Sequence, residues 1–140
     1  MSSVSFVIPV FNKEKYLTYV LDSLHNQTGS FKREFIFIND GSTDGSLELL
    51  RSKTKDWKNC KIVSQENRGS AAATNVGIKL SRNKYIKFLD ADDLILYSAT
   101  EKLLRIIDGD KNINLVYGLQ RKVKDFSKVD LNLKINSSDL

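Results

Sequence analysis

Three carboxylates lie within four residues, at Asp90, Asp92 and Asp93. Carboxylates placed this closely repel one another unless a cation lies among them. Oxygen-only ligands favour Mg²⁺ or Mn²⁺ over Zn²⁺, and Mg²⁺ commonly takes one or two protein carboxylates together with phosphate oxygens and water. The alternative is the start of a helix, where acidic side chains interact favourably with the helix dipole. The pattern therefore indicates either a divalent-cation site or a helix N-terminus.

Polar residues follow earlier apolar runs in the same way, at Asn12 and Glu14, at Asp40 and at Arg68. A carboxylate such as Asp40, after the second strand of a doubly wound sheet, is placed to accept hydrogen bonds from a ribose or a base. A turn-forming role for Asp40 is an equal alternative. Arg68 could pair with a diphosphate, and a surface arginine is the other interpretation.

Several familiar site patterns are missing from the sequence. The glycines do not form G-x-G-x-x-G, and no G-K-S or G-K-T string occurs, so the dinucleotide fingerprint and the P-loop are both excluded. Cys60 is the single cysteine, which excludes an internal disulfide and a cysteine-based four-ligand zinc site. No Ser-His-Asp or Cys-His set can be assembled.

The elements that position these residues alternate along the chain. Short apolar runs rich in β-branched residues predict buried strands, and apolar residues at helical spacing predict amphipathic helices. We expect the first strand to end near Pro9, which lacks an N–H, and Asn12 to cap the first helix. The predicted strands are 4–10, 34–39, 60–64, 84–89 and 114–119; the predicted helices are 13–26, 70–80, 100–107 and one that begins at Ser42 or Thr43 and runs through Leu50.

Continuous apolar strands separated by amphipathic helices imply a mostly parallel sheet that is covered on both faces. With right-handed crossovers, the order predicts an α/β fold of the Rossmann-like, three-layer α/β/α type. The carboxyl ends of parallel strands lie at one edge, where such sheets bind ligands. All the polar positions above follow strands, so we expect them at that edge. The small residues of 70–80 favour close packing of their helix on the sheet.

The composition fits one soluble globular domain: 140 residues, 41% hydrophobic and 28% charged. The net charge of +5 weakly favours anionic partners such as phosphates, nucleic acid or acidic lipid. The basic residues are scattered apart from Arg121, Lys122 and Lys124, so we expect no nucleic-acid partner, and association with a membrane surface stays open. We expect a cytoplasmic protein, in contact at most with the inner membrane face, because neither a signal peptide nor a membrane span is evident.

Three blocks of the sequence, taken together, resemble a known family. FVIPVFNKEKYL, FIFINDGSTDGS and ENRGSAAATNVGIKLSRNKYIKFLDADD are similar to the amino-terminal half of family 2 glycosyltransferases, which have the GT-A fold. The resemblance covers residues 4–108, with the blocks in the family's order and spacing. It implies an inverting, metal-dependent transfer of a sugar from a nucleotide-diphosphate sugar, often a uridine one, to an acceptor hydroxyl.

The resemblance also assigns residues to roles. Pro9, Val10 and Phe11 would line the base and ribose pocket, and Glu14 would lie at a nucleotide contact. Asp40 would bind the base or ribose, and Arg68 matches a donor-binding position less closely. Asp90, Ala91 and Asp92 match the D-x-D motif: Asp92, with Asp90 beside it, would hold Mg²⁺ or Mn²⁺, and Asp90 would face the sugar or ribose.

The chain departs from the family pattern after the D-x-D block. Family members usually continue into a part that carries the catalytic base and the acceptor site, so the resemblance implies a truncated unit with its base elsewhere. We expect a nucleotide-sugar-binding domain over 1–120, and a polar tail or the start of the acceptor-binding part over 121–140. A non-catalytic module that retains the donor pocket is the alternative function. A signalling domain of the response-regulator type is disfavoured, because Asn12 and Glu14 stand where it needs an acid pair.

Overall fold

The computed structural model describes residues 1–133, in which strands and helices alternate along the chain. Four predicted strands and the four predicted helices are confirmed, with shifted ends. The elements are β1 Ser3–Val10, α1 Glu14–His25, β2 Lys32–Asp40, α2 Ser46–Thr54, β3 Cys60–Gln65, α3 Ser70–Leu80, β4 Tyr85–Phe88 and α4 Ala99–Gly109, followed by a 3₁₀ turn at Phe126–Lys128.

The described strands form one parallel sheet in the order β3-β2-β1-β4. The central strand β1 pairs with β2 over its whole length, from Ser3 opposite Lys32 to Val10 opposite Asn39. All pairs in the sheet are parallel, so the loops after the strands open along one edge. The predicted α/β class with a parallel sheet is therefore confirmed.

β1 ends at Val10, one residue after Pro9, so the prediction that the strand ends near Pro9 is confirmed, and on the β4 side the pairing stops before Pro9. The N–H of Leu89 donates to the Val7 carbonyl at 3.2 Å, beyond the last β1–β4 register pair, Val7 opposite Phe88. Pro9 faces the same side two residues later, where no N–H is required. Pairing with β2 continues to Val10.

The sheet buries both of its faces, as three layers require. On one face Phe6, Ile8 and Phe37 pack with Leu17 and Leu50 of the helices α1 and α2. The other face carries a smaller cluster covered by α3, made of Ile36, Ile38 and Ala73 with Val63, Val76 and Leu80. This arrangement confirms the three-layer prediction, because helices cover the sheet from both sides.

Helix α3 lies close to the sheet because it presents small residues. Ala73 is fully buried, and a Cβ added to Gly77 would overlap the Val7 side chain. The predicted close packing of this segment is therefore confirmed.

The prediction of a fifth strand over 114–119 is wrong. The structure gives these residues no strand, and Leu115, Tyr117 and Leu119 are 79%, 80% and 74% exposed. The alternating apolar residues favour an extended chain, but a strand forms only where an edge supplies hydrogen-bond partners and a layer buries one face. Neither reaches this segment in the described part of the chain.

The segment after α4 packs back against α1 through Phe126. Phe126 packs on Tyr16 and Tyr19 of α1, with ring centroids 5.4 and 6.0 Å apart. The domain boundary at residue 120 stays a prediction, and residues 134–140 of the predicted tail lie outside the described residues.

The helices of the described residues are short. The longest, α1, has 12 residues, and none has the combination of length and apolar composition that crossing a bilayer requires.

Candidate functional site

The loops after β1 and β2 are joined through Asn12, which adopts a left-handed backbone conformation with φ +51°. Its side-chain oxygen accepts from the backbone N–H groups of Thr43 at 2.8 Å and Asp44 at 3.3 Å. Its own N–H donates to the Ser42 hydroxyl at 3.1 Å. The prediction that Asn12 caps α1 is therefore wrong, because Asn12 holds the loop that leads into α2 and Lys13 is the N-cap residue.

Acidic residues reinforce this junction from both sides. The Glu14 carboxylate accepts from the Gly45 N–H at 3.0 Å, and Asp44 accepts from the Glu14 N–H at 3.2 Å. Asp44 also accepts from the Ser46 N–H at 2.9 Å, at the start of α2. Burial works to raise the pKa of Asp44, but the hydrogen bonds from Ser46 and Glu14 outweigh it and leave that pKa below its ordinary value. This loop is why α2 begins at Ser46, later than predicted.

Asp40 ends β2 and is only 2% exposed. Its carboxylate accepts from Gln65 Nε2 at 2.8 Å and from the backbone N–H groups of Arg68 and Gly69, both at 2.9 Å. Burial works to raise the pKa of Asp40, but these bonds and the Arg68 charge outweigh it and leave the pKa lowered. Asp40 therefore fixes the loop between β3 and α3, and its contact with a base or ribose stays a prediction.

Two glycines allow the loops after β2 and β3 to meet. Gly41 has φ +72°, and a Cβ there would lie 2.8 Å from the Asn67 backbone nitrogen. Gly69, at the N-cap of α3, has φ +89° and ψ 157°, a conformation that only glycine adopts readily. The second and third loops thus form one continuous surface.

The acidic block follows β4 at the same edge. Ala91 is buried, whereas Asp90 is exposed and Asp92 is half-buried. The ammonium of Lys13, after β1, forms an ion pair with Asp92. Burial, followed by the charges of Asp90 and Asp92, raises the pKa of Asp93, which Lys13 partly offsets. The ion pair brings the first and fourth loops together.

The remaining predicted site residues differ in exposure. Val10 is fully buried and Pro9 is half-buried, so Val10 supports the site from beneath. Phe11 is 43% exposed at the edge, and Arg68 is also exposed. Phe11 and Arg68 are therefore free to meet a ligand with their side chains.

Among residues 1–133, no group of three or more Asp, Glu, His or Cys side chains could hold a metal ion unaided. The donor set still fits Mg²⁺ or Mn²⁺, which commonly take one or two protein carboxylates beside phosphate oxygens and water. Asp92 already attracts a cation, the Lys13 ammonium, and Asp90 is exposed beside it. Asp92 and Asp90 are thus the residues suited to such an ion.

Lys13 is the residue of this edge whose contact with the acidic block the sequence patterns missed. It was detectable only by its position, directly after a strand at the ligand edge, because its side-chain type is equally common on surfaces. Its partner lies 79 residues further along the chain, and the sequence does not specify that pairing.

Comparison with known proteins decides the family. The model of the family "Glycosyl transferase family 2" matches residues 5–135. The chain belongs to glycosyltransferase family 2. Within that family it is 37% identical over 116 residues to the minor teichoic acid biosynthesis protein GgaA of Bacillus subtilis, which covers 79% of this chain.

Solved structures place the family 2 chain in the same fold. S. aureus TarS 1–349 in complex with UDP superposes with a TM-score of 0.69 at 29% identity, over 76% of this chain and 32% of TarS. The mannosyltransferase PcManGT of Pyrobaculum calidifontis, in complex with GDP-Man and Mn²⁺, gives a TM-score of 0.64 at 25% identity, over 71% and 32% of the two chains. The predicted GT-A type of fold is confirmed.

The family 2 chain spans only part of the length of its curated relatives. It covers 26% of GgaA, and between 15% and 36% of the first three relatives. The matched region carries all four loops of the site described above.

Proposed function

We propose that this chain binds a nucleotide-diphosphate sugar, with UDP as the nucleotide, along the carboxyl edge of its sheet. The observation that carries the proposal is the convergence of the loops. They are held together by backbone N–H groups that donate to Asn12 and Asp40 and by the ion pair of Lys13 with Asp92. Support also comes from solved structures of a related fold, TarS in complex with UDP and PcManGT in complex with GDP-Man and Mn²⁺.

The nucleoside part is assigned to the loops after β1 and β2, the two central strands. The exposed ring of Phe11 offers a flat apolar surface to a base, with Pro9 beside it and Val10 packed beneath. Asp40 and Glu14 act through the loops that they hold, since their oxygens already accept backbone N–H groups. These contacts keep the floor of the pocket in place before the ligand binds.

The diphosphate part is assigned to the acidic block after β4, beside the loop after β1, and Arg68 would reach it from the loop after β3 on the other side of the sheet. Arg68 is exposed and presents a planar guanidinium, which suits phosphate oxygens. Asp92 and Asp90 would hold Mg²⁺ or Mn²⁺, which supplies positive charge to the diphosphate as it leaves. Ala91 between them is buried, so it keeps the turn packed while the two acids face outward.

The proposed reaction is a single displacement with inversion at the sugar. The acceptor oxygen forms a bond to the anomeric carbon, the bond from that carbon to the β-phosphate oxygen breaks, and a base takes the hydroxyl proton. We assign no base among residues 1–133. Asp108 already accepts from Tyr85 at 2.7 Å and Lys84 at 3.1 Å, and Asp125 accepts from the Ser127 N–H at 3.0 Å.

A second candidate function is binding of the donor without transfer. The observation that favours it is length, because the chain covers no more than 36% of the first three relatives. Incubation of the chain with UDP-sugars and Mn²⁺, followed by measurement of released UDP, separates the two. Release above that of an Asp92→Asn control supports an enzyme, and binding without release supports a module.

The nucleotide is tested by thermal unfolding with UDP, GDP, CDP and ADP, each with Mn²⁺. We expect the largest rise in Tm with UDP, because a ligand that binds only the folded state stabilises it more the more tightly it binds. Equal shifts with all four diphosphates would contradict the assignment to uridine and retain only a diphosphate site.

A further inference from the structure

We propose that the Lys13 ammonium occupies the cation position at Asp92 when no donor is bound. When the divalent ion binds, the ammonium leaves Asp92 and pairs with the donor diphosphate instead. Lys13 would thus make metal and donor bind together. This inference rests on the proposed function. It adds a donor-binding residue that neither the D-x-D pattern nor the hydrogen bonds between the loops assign.

The backbone of Lys13 is fixed, so only its side chain can change partner. Its N–H donates to the Ser46 hydroxyl at 2.8 Å. Its carbonyl accepts from the N–H groups of Tyr16 at 2.9 Å and Leu17 at 3.1 Å, in the first turn of α1. The flexible stem that carries the ammonium therefore swings from an anchored point at the ligand edge.

Lys13 stands at a position where a helix disfavours a cation. It is the N-cap residue of α1 and forms no side-chain cap hydrogen bond. The N-terminus of a helix carries partial positive charge and four unpaired N–H groups, so the dipole of α1 repels the ammonium. The attraction that holds the ammonium there comes from Asp92, with Asp90 and Asp93 nearby in sequence.

The ion pair lies where solvent and ligands can reach it. The side chains of Lys13 and Asp92 are 32% and 39% exposed. Ion pairs of this kind shift an equilibrium by at most about fivefold. A divalent ion held by two phosphate oxygens as well as Asp92 can displace the ammonium, whereas the ion alone must compete with it.

A bound diphosphate changes the balance for Lys13. It adds negative charge at the same edge, within reach of a side chain that the divalent ion has released from Asp92. Because the ammonium then pairs with the donor, the charge of Lys13 hinders the metal alone and helps the nucleotide once the metal is bound. Such coupling is reciprocal: each ligand strengthens the binding of the other by the same factor.

The test measures two binding constants on the wild type, Lys13→Met and Lys79→Met. Methionine keeps an unbranched stem and removes the charge, and Lys79 is the control because it is exposed in the last turn of α3, away from the ligand edge, and lacks an ion pair within the described region. Electron paramagnetic resonance reports the affinity for Mn²⁺ alone, and calorimetry reports the affinity for UDP in the presence of saturating Mn²⁺. Circular dichroism confirms that each variant is folded.

We expect Lys13→Met to bind Mn²⁺ alone more tightly, by about threefold to fivefold, and UDP with Mn²⁺ more weakly by a similar factor. Lys79→Met should change neither by more than about twofold, since its charge lies toward the amino edge of the sheet. Lys13→Arg should resemble the wild type.

Opposite shifts in the two affinities for Lys13→Met alone establish the inference. If the wild type binds UDP with Mn²⁺ but Lys13→Met binds Mn²⁺ alone no more tightly, the inference is overturned and the proposed function stands. If none of the proteins binds Mn²⁺ even with UDP, the metal site and the inference fail together.

Discussion

The carboxylate of Asp40 accepts a hydrogen bond of 2.9 Å from the backbone N–H of Gly69. This bond joins the end of β2 to the start of α3, across the mouth of the sheet edge. Together with the bond from the Arg68 N–H, it fixes the loop on which the Arg68 side chain stands. Asp40, which the sequence predicts as a ligand contact, thus already holds the loop between β3 and α3 in place.

Replacement of Asp40 by Asn should destabilise the fold by about 1–3 kcal/mol, because the amide N–H₂ would face a backbone N–H that loses its acceptor. Hydrogen exchange should rise at Arg68 and Gly69 in particular. Urea unfolding gives the stability, and mass-resolved exchange gives the location. Unchanged exchange in this loop would mean that Asp40 does not fix it.

As the pH falls, the free energy of unfolding should decrease more steeply for the wild type than for Asp40→Asn. The folded-state pKa of Asp40 lies below that of an unfolded aspartate, about 3.9, so its contribution is complete above that pH and is lost as the pH falls through the folded value. Asp44 acts with the same sign, so the variant keeps part of the slope. Urea unfolding between about pH 5.5 and pH 2.5 measures both slopes, and equal slopes would contradict the pKa assignment.

Glu14→Ala should lower the stability by about 1 kcal/mol, because the Gly45 N–H loses its acceptor near the start of α2. Glu14→Gln keeps an acceptor oxygen and should be nearly neutral. Chemical denaturation measures both variants, and UDP affinity should follow the stability of the loop. A loss of UDP affinity in Glu14→Gln without any loss of stability would instead indicate direct contact with the nucleotide.

Gly77→Ala should destabilise the protein by about 1–3 kcal/mol, since the new methyl group meets the Val7 side chain between α3 and the sheet. Gly109→Ala is the control, because a Cβ at Gly109 meets nothing within 4 Å. In the control, the better helix propensity of alanine should leave stability equal or slightly higher. Thermal unfolding compares the two, and equal effects would mean that α3 can move away from the sheet.

Hydrophobic pattern predicted most of the fold. The runs that include Phe6 and Ile36 were identifiable as strands because burial on both faces demands continuous apolar residues. Residues 114–119 have the same propensity but neither a partner edge nor a covering layer, and propensity alone cannot supply those.

The sequence predicted which residue types lie at the candidate site, but it did not predict which residues contact one another there. Strand ends placed Asp40 and Asp92 at one edge from sequence alone, because parallel strands share their direction. The partners of these acids, Gly69 and Lys13, depend on the path of each loop in three dimensions. Asn12 shows the same limit, since its backbone φ of +51° turns its side chain away from α1 and toward Thr43.

The central claim is that the carboxyl edge binds a nucleoside diphosphate around a cation held by Asp92. Calorimetric titration of UDP with and without Mn²⁺, into the wild type, Asp92→Asn and the surface control Asp56→Asn, tests it most directly. We expect Mn²⁺ to strengthen UDP binding by at least about tenfold in the wild type and in the control, and hardly at all in Asp92→Asn. A folded wild type that binds no UDP under either condition, or an Asp92→Asn variant with the full Mn²⁺ effect, would contradict it.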